Sequence, residues 1–325
     1  MVKKFSRAYI LGSGFSKSFS EKVPTIKDLT DRLFELKSEE YETLTSFVNR
    51  LFESSNELEE FRNIENIATL FFSKRIYKDF EEELYYEKLR FELIKFIFHE
   101  IQNRRVEEGK ISTLSKFIDH AIDDSKSYPA ALITFNYDLL IEEILRLKNK
   151  NNPLKMVIDY GLEFDTYGHK KFEADIDQLS LRLMKMHGSF NWFRAKGSNS
   201  NDIRDIYLVE EESPMFGIHR NDIPAYIPMA HVKNLFLNGT LYATIWARAL
   251  EILQEVDQIV FIGYGFPLTD LNNLALFLDF KDKIEAINIL EVEGSAKLKR
   301  LNKLFGNHKV FNMEAKQFIE THVIR

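Results

Sequence analysis

The sequence predicts an α/β protein built on a doubly wound, mainly parallel sheet. Short apolar segments alternate with helical segments along most of the chain, which is the order expected for such a sheet. The apolar segments are nearly continuous, as in strands that are buried on both faces. Turns rich in glycine or polar residues follow several of these strands directly, where doubly wound sheets bind their ligands.

The first predicted strand is Ala8-Tyr9-Ile10-Leu11, which ends in Gly-Ser-Gly and should lead into a helix. A long helical block then covers about 26–125, where apolar residues recur at helical spacing and glycine is nearly absent. The apolar faces of this block are Ile26, Leu29, Leu33 and Leu36, then Leu44, Phe47, Val48 and Leu51, then Leu58, Phe61 and Ile64.

Strand character returns at 130–136, and helical spacing resumes from Asp138 to about Lys148. Further strands are predicted at 181–187, 258–263 and 286–291, with helices at about 241–256 and 295–305. Because the sequence has no linker rich in Pro, Gly or Ser, we expect one domain over 1–325. Its core covers about 1–25 and 126–325, and the helical block at about 26–125 is an insertion.

Composition excludes several classes of protein. Hydrophobic residues make up 45% and charged residues 29% of the chain, as in ordinary globular proteins. We expect a cytoplasmic protein, because the sequence has no signal-peptide pattern and no apolar run near the roughly 20 residues of a membrane helix. The absence of cysteine excludes disulfides and zinc sites with Cys ligands.

A formal net charge of −6 argues against direct binding of nucleic acid. The local basic run at 297–303 fits the solvated face of a helix, and a small patch for an anionic surface is the alternative.

Gly12-Ser13-Gly14-Phe15-Ser16 follows the first strand, and its glycines would let the backbone approach a pyrophosphate at a helix N-terminus. The alternative is a plain turn between strand and helix.

The second strand ends in Thr134-Phe135-Asn136-Tyr137-Asp138. Its amide could donate to a ribose, and its carboxylate could accept from a carboxamide. The alternative is an Asn in a turn followed by a helix-capping Asp.

Lys185-Met186-His187-Gly188-Ser189 ends a third strand. His187 has the pKa range of a general base, and Gly188 would leave room for a substrate. The alternative is a histidine on the surface, or a histidine of the core whose hydrogen bonds are satisfied.

A fourth strand is closed by Gly263-Tyr264-Gly265-Phe266-Pro267-Leu268-Thr269-Asp270, and Asn288 lies within a fifth. Because a doubly wound sheet gathers these strand ends, the motifs together predict one binding site.

This ordered set of motifs resembles the sirtuin-like domains of bacterial anti-phage proteins that deplete NAD, such as the Thoeris effector and the sirtuin-like partners of short Argonautes and HerA-type translocases. The resemblance extends from about residue 8 to 295, and it includes Val23-Pro24-Thr25 and Asn63-Ile64-Glu65-Asn66. It implies a Rossmann-like sheet with a helical insertion and NAD⁺ as the substrate.

The resemblance also implies roles for individual residues. Asn136 and Asp138 would bind the nicotinamide ribose and carboxamide, and His187 would be the catalytic base. The remaining cofactor-binding residues would hold the phosphates and the rest of the dinucleotide. These are Gly12, Ser13, Gly14, Phe15, Ser16, Gly263, Tyr264, Gly265 and Asn288.

One departure from deacylating sirtuins is informative. Those enzymes carry a four-cysteine zinc module, whereas this chain has no cysteine. The stretch 191–230 instead contains Trp192, Phe193 and a polar segment, and His219 and His231 lack a tight metal-ligand spacing. We therefore expect no metal.

The expected activity is an NAD⁺ glycohydrolase that gives nicotinamide and ADP-ribose as an NAD-depleting effector of anti-phage defence. A non-catalytic sensor of NAD or ADP-ribose, an NAD-dependent deacylase and a scaffold with a vestigial pocket are the alternatives. By resemblance we expect homo-oligomers and a separately encoded partner, such as a HerA-like translocase or an Argonaute-like protein.

Overall fold

A seven-stranded sheet organises the molecule in the computed structural model. The structure describes residues 5–53, 61–73, 76–102, 104–122, 129–150, 156–162, 165–166, 180–194, 206–209, 223–227, 229–230, 240–267 and 271–324. Numbered in chain order, the strands of this sheet are β1 (Arg7–Leu11), β2 (Ala130–Thr134), β3 (Val157–Asp159), β5 (Ser180–Lys185), β9 (Gln258–Ile262), β10 (Ile284–Ile289) and β11 (Val310–Asn312).

The strand order is β11-β10-β9-β1-β2-β5-β3, and every neighbouring pair is parallel. In register, Leu11 lies between Thr134 and Ile262, and Thr134 lies opposite Lys185. The carboxyl ends of β1, β2, β5 and β9 therefore meet at one edge of the sheet. The predicted mainly parallel sheet with flanking helices is confirmed.

Helices that pack with this sheet share its hydrophobic core, which is rich in aliphatic residues from the strands themselves. They are α1 (Ser13–Phe19), α6 (Ile111–Ile122), α7 (Leu140–Lys150), α8 (Thr240–Glu255), α9 (Leu271–Asp279), α10 (Ala296–Phe305) and α11 (Ala315–Phe318). Of the block predicted at 26–125, α6 thus lies against the main sheet, where Leu114 and Phe117 are fully buried.

The other helices of that block are α2 (Ile26–Glu35), α3 (Glu42–Glu53), α4 (Ile64–Phe72) and α5 (Phe80–Ile101). They form a second hydrophobic core together with a small sheet of order β4-β7-β6-β8. Its strands are β4 (Asp165–Thr166), β6 (Gly188–Arg194), β7 (Ile206–Leu208) and β8 (Ile223–Tyr226). This sheet was not predicted from the sequence.

The start of α4 corrects one predicted helical face. Phe61 precedes the helix and is 56% exposed, and Leu58 lies outside the described residues. The physical reason is the helix cap, because the Asn63 Oδ1 accepts a hydrogen bond from the Glu65 N–H at 2.7 Å and begins the helix at Ile64. Ile64 itself is fully buried, as predicted.

No helix in the part of the chain that the structure describes is long and apolar enough to cross a membrane.

Candidate functional site

Two glycine-containing loops pack against each other at the carboxyl edge of the main sheet. The Gly14 N–H donates to the Gly263 carbonyl at 2.9 Å, and the Gly12 N–H donates to the Ile262 carbonyl at 3.1 Å. A Cβ on Gly263 would lie 2.1 Å from the backbone nitrogen of Phe15, and Gly263 also has a φ of +64°. These glycines thus permit close contact between the two loops, while Ser13 and Gly14 stay exposed.

Ser16, Asn136 and Asp138 form a hydrogen-bond network beside these loops. The Asn136 Nδ2 donates to the Gly12 carbonyl and to the Ser16 Oγ, both at 2.8 Å. Ser16 Oγ in turn donates to the Asp138 Oδ2 at 2.6 Å. The fold therefore brings together residues that lie about 120 positions apart in the chain. Ser16 was predicted to hold the phosphates, whereas its hydroxyl contacts the Asn136 amide and the Asp138 carboxylate.

Asp138 also bonds to the start of the following helix. Its Oδ1 accepts from the Leu140 N–H at 3.2 Å, in the first turn of α7. The same carboxylate thus bonds both to Ser16 and to the start of α7. Each carboxylate oxygen has a second lone pair, so Asp138 can still accept from a ligand.

Asn136 has an acceptor available for a ligand. Both hydrogens of its amide point to Gly12 and Ser16, so they are not directed at a ribose. Its Oδ1 accepts no hydrogen bond from any residue that the structure describes, and the side chain is partly exposed. The geometry therefore offers an oxygen acceptor where the sequence predicted a donor.

Lys185 and Glu142 are connected to this network through Asp138, and neither was predicted from the sequence to have a role. The Lys185 Nζ donates to the Asp138 carbonyl at 2.6 Å and to the Glu142 Oε1 at 2.9 Å. The Tyr160 hydroxyl also donates to Glu142 Oε1, at 3.2 Å, and burial raises the pKa of Tyr160 well above its ordinary value. A lysine within the strand predicted at 181–187 was the available signal.

A small cavity is lined by the network together with Lys185 and Glu142. Its volume is about 10 Å³, which holds one group of the size of a water molecule. Two carboxylates and one ammonium line it, so its formal charge is negative. The lining residues are Phe15, Ser16, Thr134, Asn136, Asp138, Ile141, Glu142, Leu183 and Lys185.

His187 lies in the turn between β5 and β6 and does not line this cavity. It is 5% exposed, and its ring centroid is 5.1 Å from that of Phe135 and 6.2 Å from that of Tyr137. The structure thus places His187 against the two neighbours of Asn136 in the chain. Gly188 has a φ of +81°, and a Cβ there would lie 2.2 Å from the Ala225 carbonyl oxygen, so the absent side chain makes room for β8.

Tyr264 and Asn288 are buried in the core of the main sheet. Tyr264 is 3% exposed, packs 5.0 Å from the Phe135 ring, and its hydroxyl accepts from Asn273 at 3.1 Å. Asn288 is fully buried, and its Nδ2 donates to the Met313 carbonyl at 2.8 Å. Gly265 lies between Tyr264 and Phe266 in the same loop, and a Cβ there would be 3.9 Å from the Lys297 Nζ.

Some of the sequence motifs fall outside the described residues. These are Leu268-Thr269-Asp270, at the end of the fourth motif, and the two histidines at 219 and 231. Among the residues that are described, no group of three or more His, Asp or Glu side chains could hold a metal ion.

The family model of the SIR2-like domain matches residues 130–283. This stretch begins with β2 and contains Asn136, Asp138, Lys185, His187 and the loop after β9. No curated protein matches the chain.

Several solved Sir2 structures are similar to the chain at low identity. One is a Sir2 homologue in complex with NAD, with 11% identity, a TM-score of 0.46, and coverage of 97% of this chain and 86% of that one. Another is a mutant Sir2 homologue in complex with ADP ribose, with 13% identity, a TM-score of 0.47, and coverage of 98% and 91%.

Proposed function

We propose that this chain cleaves the nicotinamide–ribose bond of NAD⁺ and releases nicotinamide and ADP-ribose. The observation that carries the proposal is the Ser16–Asn136–Asp138 network beside a cavity at the carboxyl edge of the sheet. Two of its three members lie within the stretch that matches the SIR2-like domain. Ligands of doubly wound sheets bind at this edge.

In the proposed reaction, the bond between ribose C1′ and the nicotinamide nitrogen breaks. The electron pair goes to the ring nitrogen, which neutralises the cationic ring and leaves an oxocarbenium-like ribose, as in glycoside hydrolysis. Water adds to C1′ and loses one proton, so NAD⁺ and water give nicotinamide, ADP-ribose and H⁺. If a hydroxyl of the substrate traps the cation instead, the product is a cyclic ADP-ribose.

Asp138 and Asn136 would recognise the nicotinamide end of the substrate. A cavity of about 10 Å³ accommodates the end of a carboxamide rather than a whole ring. Asp138 would accept from the carboxamide NH₂, and the Asn136 Oδ1 would accept from a ribose hydroxyl or the attacking water. The negative charge of the lining favours the positive charge that develops on the ribose.

His187 is proposed as the base that takes the proton from water or a ribose hydroxyl. Its support is its position against Phe135 and Tyr137, on either side of Asn136 in the chain. The exposed Ser13 and Gly14 are proposed to contact the pyrophosphate, with Gly12, Phe15 and Gly263 shaping that surface. Tyr264, Gly265 and Asn288 would support the remaining part of the dinucleotide from the core side.

The resemblance described above supports a role as an NAD-depleting effector of anti-phage defence in the cytoplasm. Such an activity must be controlled, so we propose homo-oligomers or a separately encoded partner of the translocase or Argonaute type. Nicotinamide release should then rise with protein concentration or on addition of the partner. A dilute monomer with full activity would contradict this regulation while leaving the chemistry intact.

The test is chromatographic analysis of the products after incubation with NAD⁺ at several protein concentrations. Wild type should release nicotinamide and ADP-ribose, and Asn136→Ala and His187→Ala should lose roughly 10²–10⁴-fold in rate if these residues act on the reacting groups. Asn149→Ala is the control, because Asn149 bonds to the Met156 backbone away from the site.

Three outcomes would overturn the assignment. Full activity in both site variants would remove the proposed residues from the reaction. Tight binding of NAD⁺ that stays unaltered over hours, with candidate partners present, would show a sensor rather than an enzyme. Turnover that depends on an acylated lysine peptide would show a deacylase.

A further inference from the structure

Lys185 and Glu142 form a buried ion pair beneath the proposed site. The side chains are 1% and 13% exposed, and the Nζ–Oε1 distance is 2.9 Å. Lys185 ends β5, and Glu142 lies in the first turn of α7. Because two charges lose most of their hydration on burial, such a pair is often no more stabilising than apolar residues of similar size. Stability alone therefore does not account for it.

The ammonium makes a second contact that bears on the site. Lys185 Nζ donates to the Asp138 carbonyl at 2.6 Å, the shortest hydrogen bond made by either side chain of the pair. Residues 135–139 belong to neither β2 nor α7, so regular secondary structure does not fix this carbonyl. Lys185 thus connects the segment that carries Asn136 and Asp138 to the end of β5.

Lys185 also lines the cavity, as Ser16 does. Asp138 is held by the Ser16 hydroxyl and the Leu140 N–H through its carboxylate, and by Lys185 through its carbonyl. Glu142 in turn accepts hydrogen bonds from the Lys185 ammonium and from the Tyr160 hydroxyl. A continuous series of hydrogen bonds therefore connects Tyr160, in the core of the main sheet, with Asp138.

We infer that Lys185 is a positioning residue for the proposed cleavage site, fixing Asp138 and, through Ser16, Asn136, while Glu142 orients the Lys185 ammonium. The inference rests on the proposed function, since it names a residue that serves the same site. Lys185 acts through Asp138 and needs no contact with the substrate. A displacement of about 1 Å at a reacting group can cost about 100-fold in rate, which sets the size of the expected effect.

A pair of variants separates positioning from mere stability. Lys185→Met leaves Glu142 buried without its cation and the Asp138 carbonyl without its donor, so both the melting temperature and the rate should fall. Lys185→Met combined with Glu142→Gln removes both charges and keeps an acceptor for Tyr160, so the melting temperature should recover. The Asp138 carbonyl still lacks its donor, so the rate should stay low.

The experiment measures melting temperature and steady-state nicotinamide release for wild type, both variants and Lys148→Met. Lys148 is a matched control on α7, the helix that carries Glu142, and it bonds to Ser115 and Asp119 away from the cavity. The inference predicts that kcat of the double variant is about 100-fold below wild type, with a much smaller change in KM. Recovery of kcat together with the melting temperature would overturn it.

If wild type releases no nicotinamide, the proposed function fails and the inference is judged by calorimetric binding of NAD⁺. A dissociation constant raised about tenfold in the double variant but not in Lys148→Met, equivalent to about 1.4 kcal/mol, would support positioning. An unchanged constant, or no binding by wild type, would overturn it.

Discussion

At the scale of single residues, the glycines of the site are required by backbone contact between two loops. Gly12, Gly14 and Gly263 lie where the turns after β1 and β9 meet, and a Cβ on Gly12 would lie 2.5 Å from the Tyr264 Cα. The same turns bring Ser13 and Gly14 to the surface beside the Ser16 network. The tight turn predicted at Gly12-Ser13-Gly14 is therefore present. Its contact with the loop after β9 could not be predicted, because it depends on the fold.

Gly263 gives a prediction with an internal control. Gly263→Ala should destabilise the protein by roughly 3 kcal/mol, because the new Cβ would meet the backbone of Phe15 and Gly14 at a positive φ. Gly109→Ala has nothing within 4 Å of the new Cβ and should change the free energy of unfolding by less than about 0.5 kcal/mol. Urea denaturation measures both, and equal effects would contradict the assigned contact.

Residue by residue, sequence could predict the Asn136 and Asp138 pair because both directly follow a buried strand. It could not predict that the Asn136 amide donates to Ser16 and Gly12, since side-chain orientation depends on packing between distant segments. Lys185 was missed for the same reason, because the partner of a charged residue within a strand is set by folding and has no local signal in the sequence.

At the scale of elements, helix starts in the insertion are set by side-chain caps that the sequence contains. Thr25 and Asp28 form a capping box at α2, in which the Thr25 N–H donates to the Asp28 Oδ2 at 2.8 Å. The hydrogen bond from the Thr25 backbone lowers the pKa of Asp28 below its ordinary value of 3.8. Asp28 therefore links the stability of α2 to pH.

The sign of that linkage follows from the lowered pKa. The contribution of the Asp28 carboxylate to the free energy of unfolding is fully present above pH 3.8. It is lost as pH falls through the lower pKa of the folded state. Wild type should thus be more stable than Asp28→Asn at pH 6, and the difference should shrink below pH 3.8. Denaturant unfolding across this range tests it, and a difference that grows toward acid would contradict the capping box.

Regular elements were predictable where their periodicity is strong. The strand predicted at 258–263 is β9 at Gln258–Ile262, and the helix predicted at about 241–256 is α8 at Thr240–Glu255. The small sheet was not predictable in this way, because β6 is buried along nearly its whole length and shows no alternation. The pairing of β6 with β7 and β8 also has no signal in the local sequence, because these strands are separate segments of the chain.

At the scale of the whole molecule, the candidate site lies where the two hydrophobic cores meet. Tyr137 belongs to the second core, while Phe135 belongs to the first, and Asn136 lies between them in the chain. The Phe98 ring of α5 lies 5.3 Å from that of Phe190, which in turn lies 5.4 Å from that of Tyr137. The helical block thus supports the site through the small sheet.

Nicotinamide release by Asp138→Asn tests the central claim most directly. This variant keeps the size of the side chain and removes the charge that faces the cavity, so its rate should fall about 100-fold if the carboxylate stabilises developing positive charge. Its melting temperature shows whether the protein remains folded. A folded Asp138→Asn variant that releases nicotinamide at the wild-type rate would contradict the account.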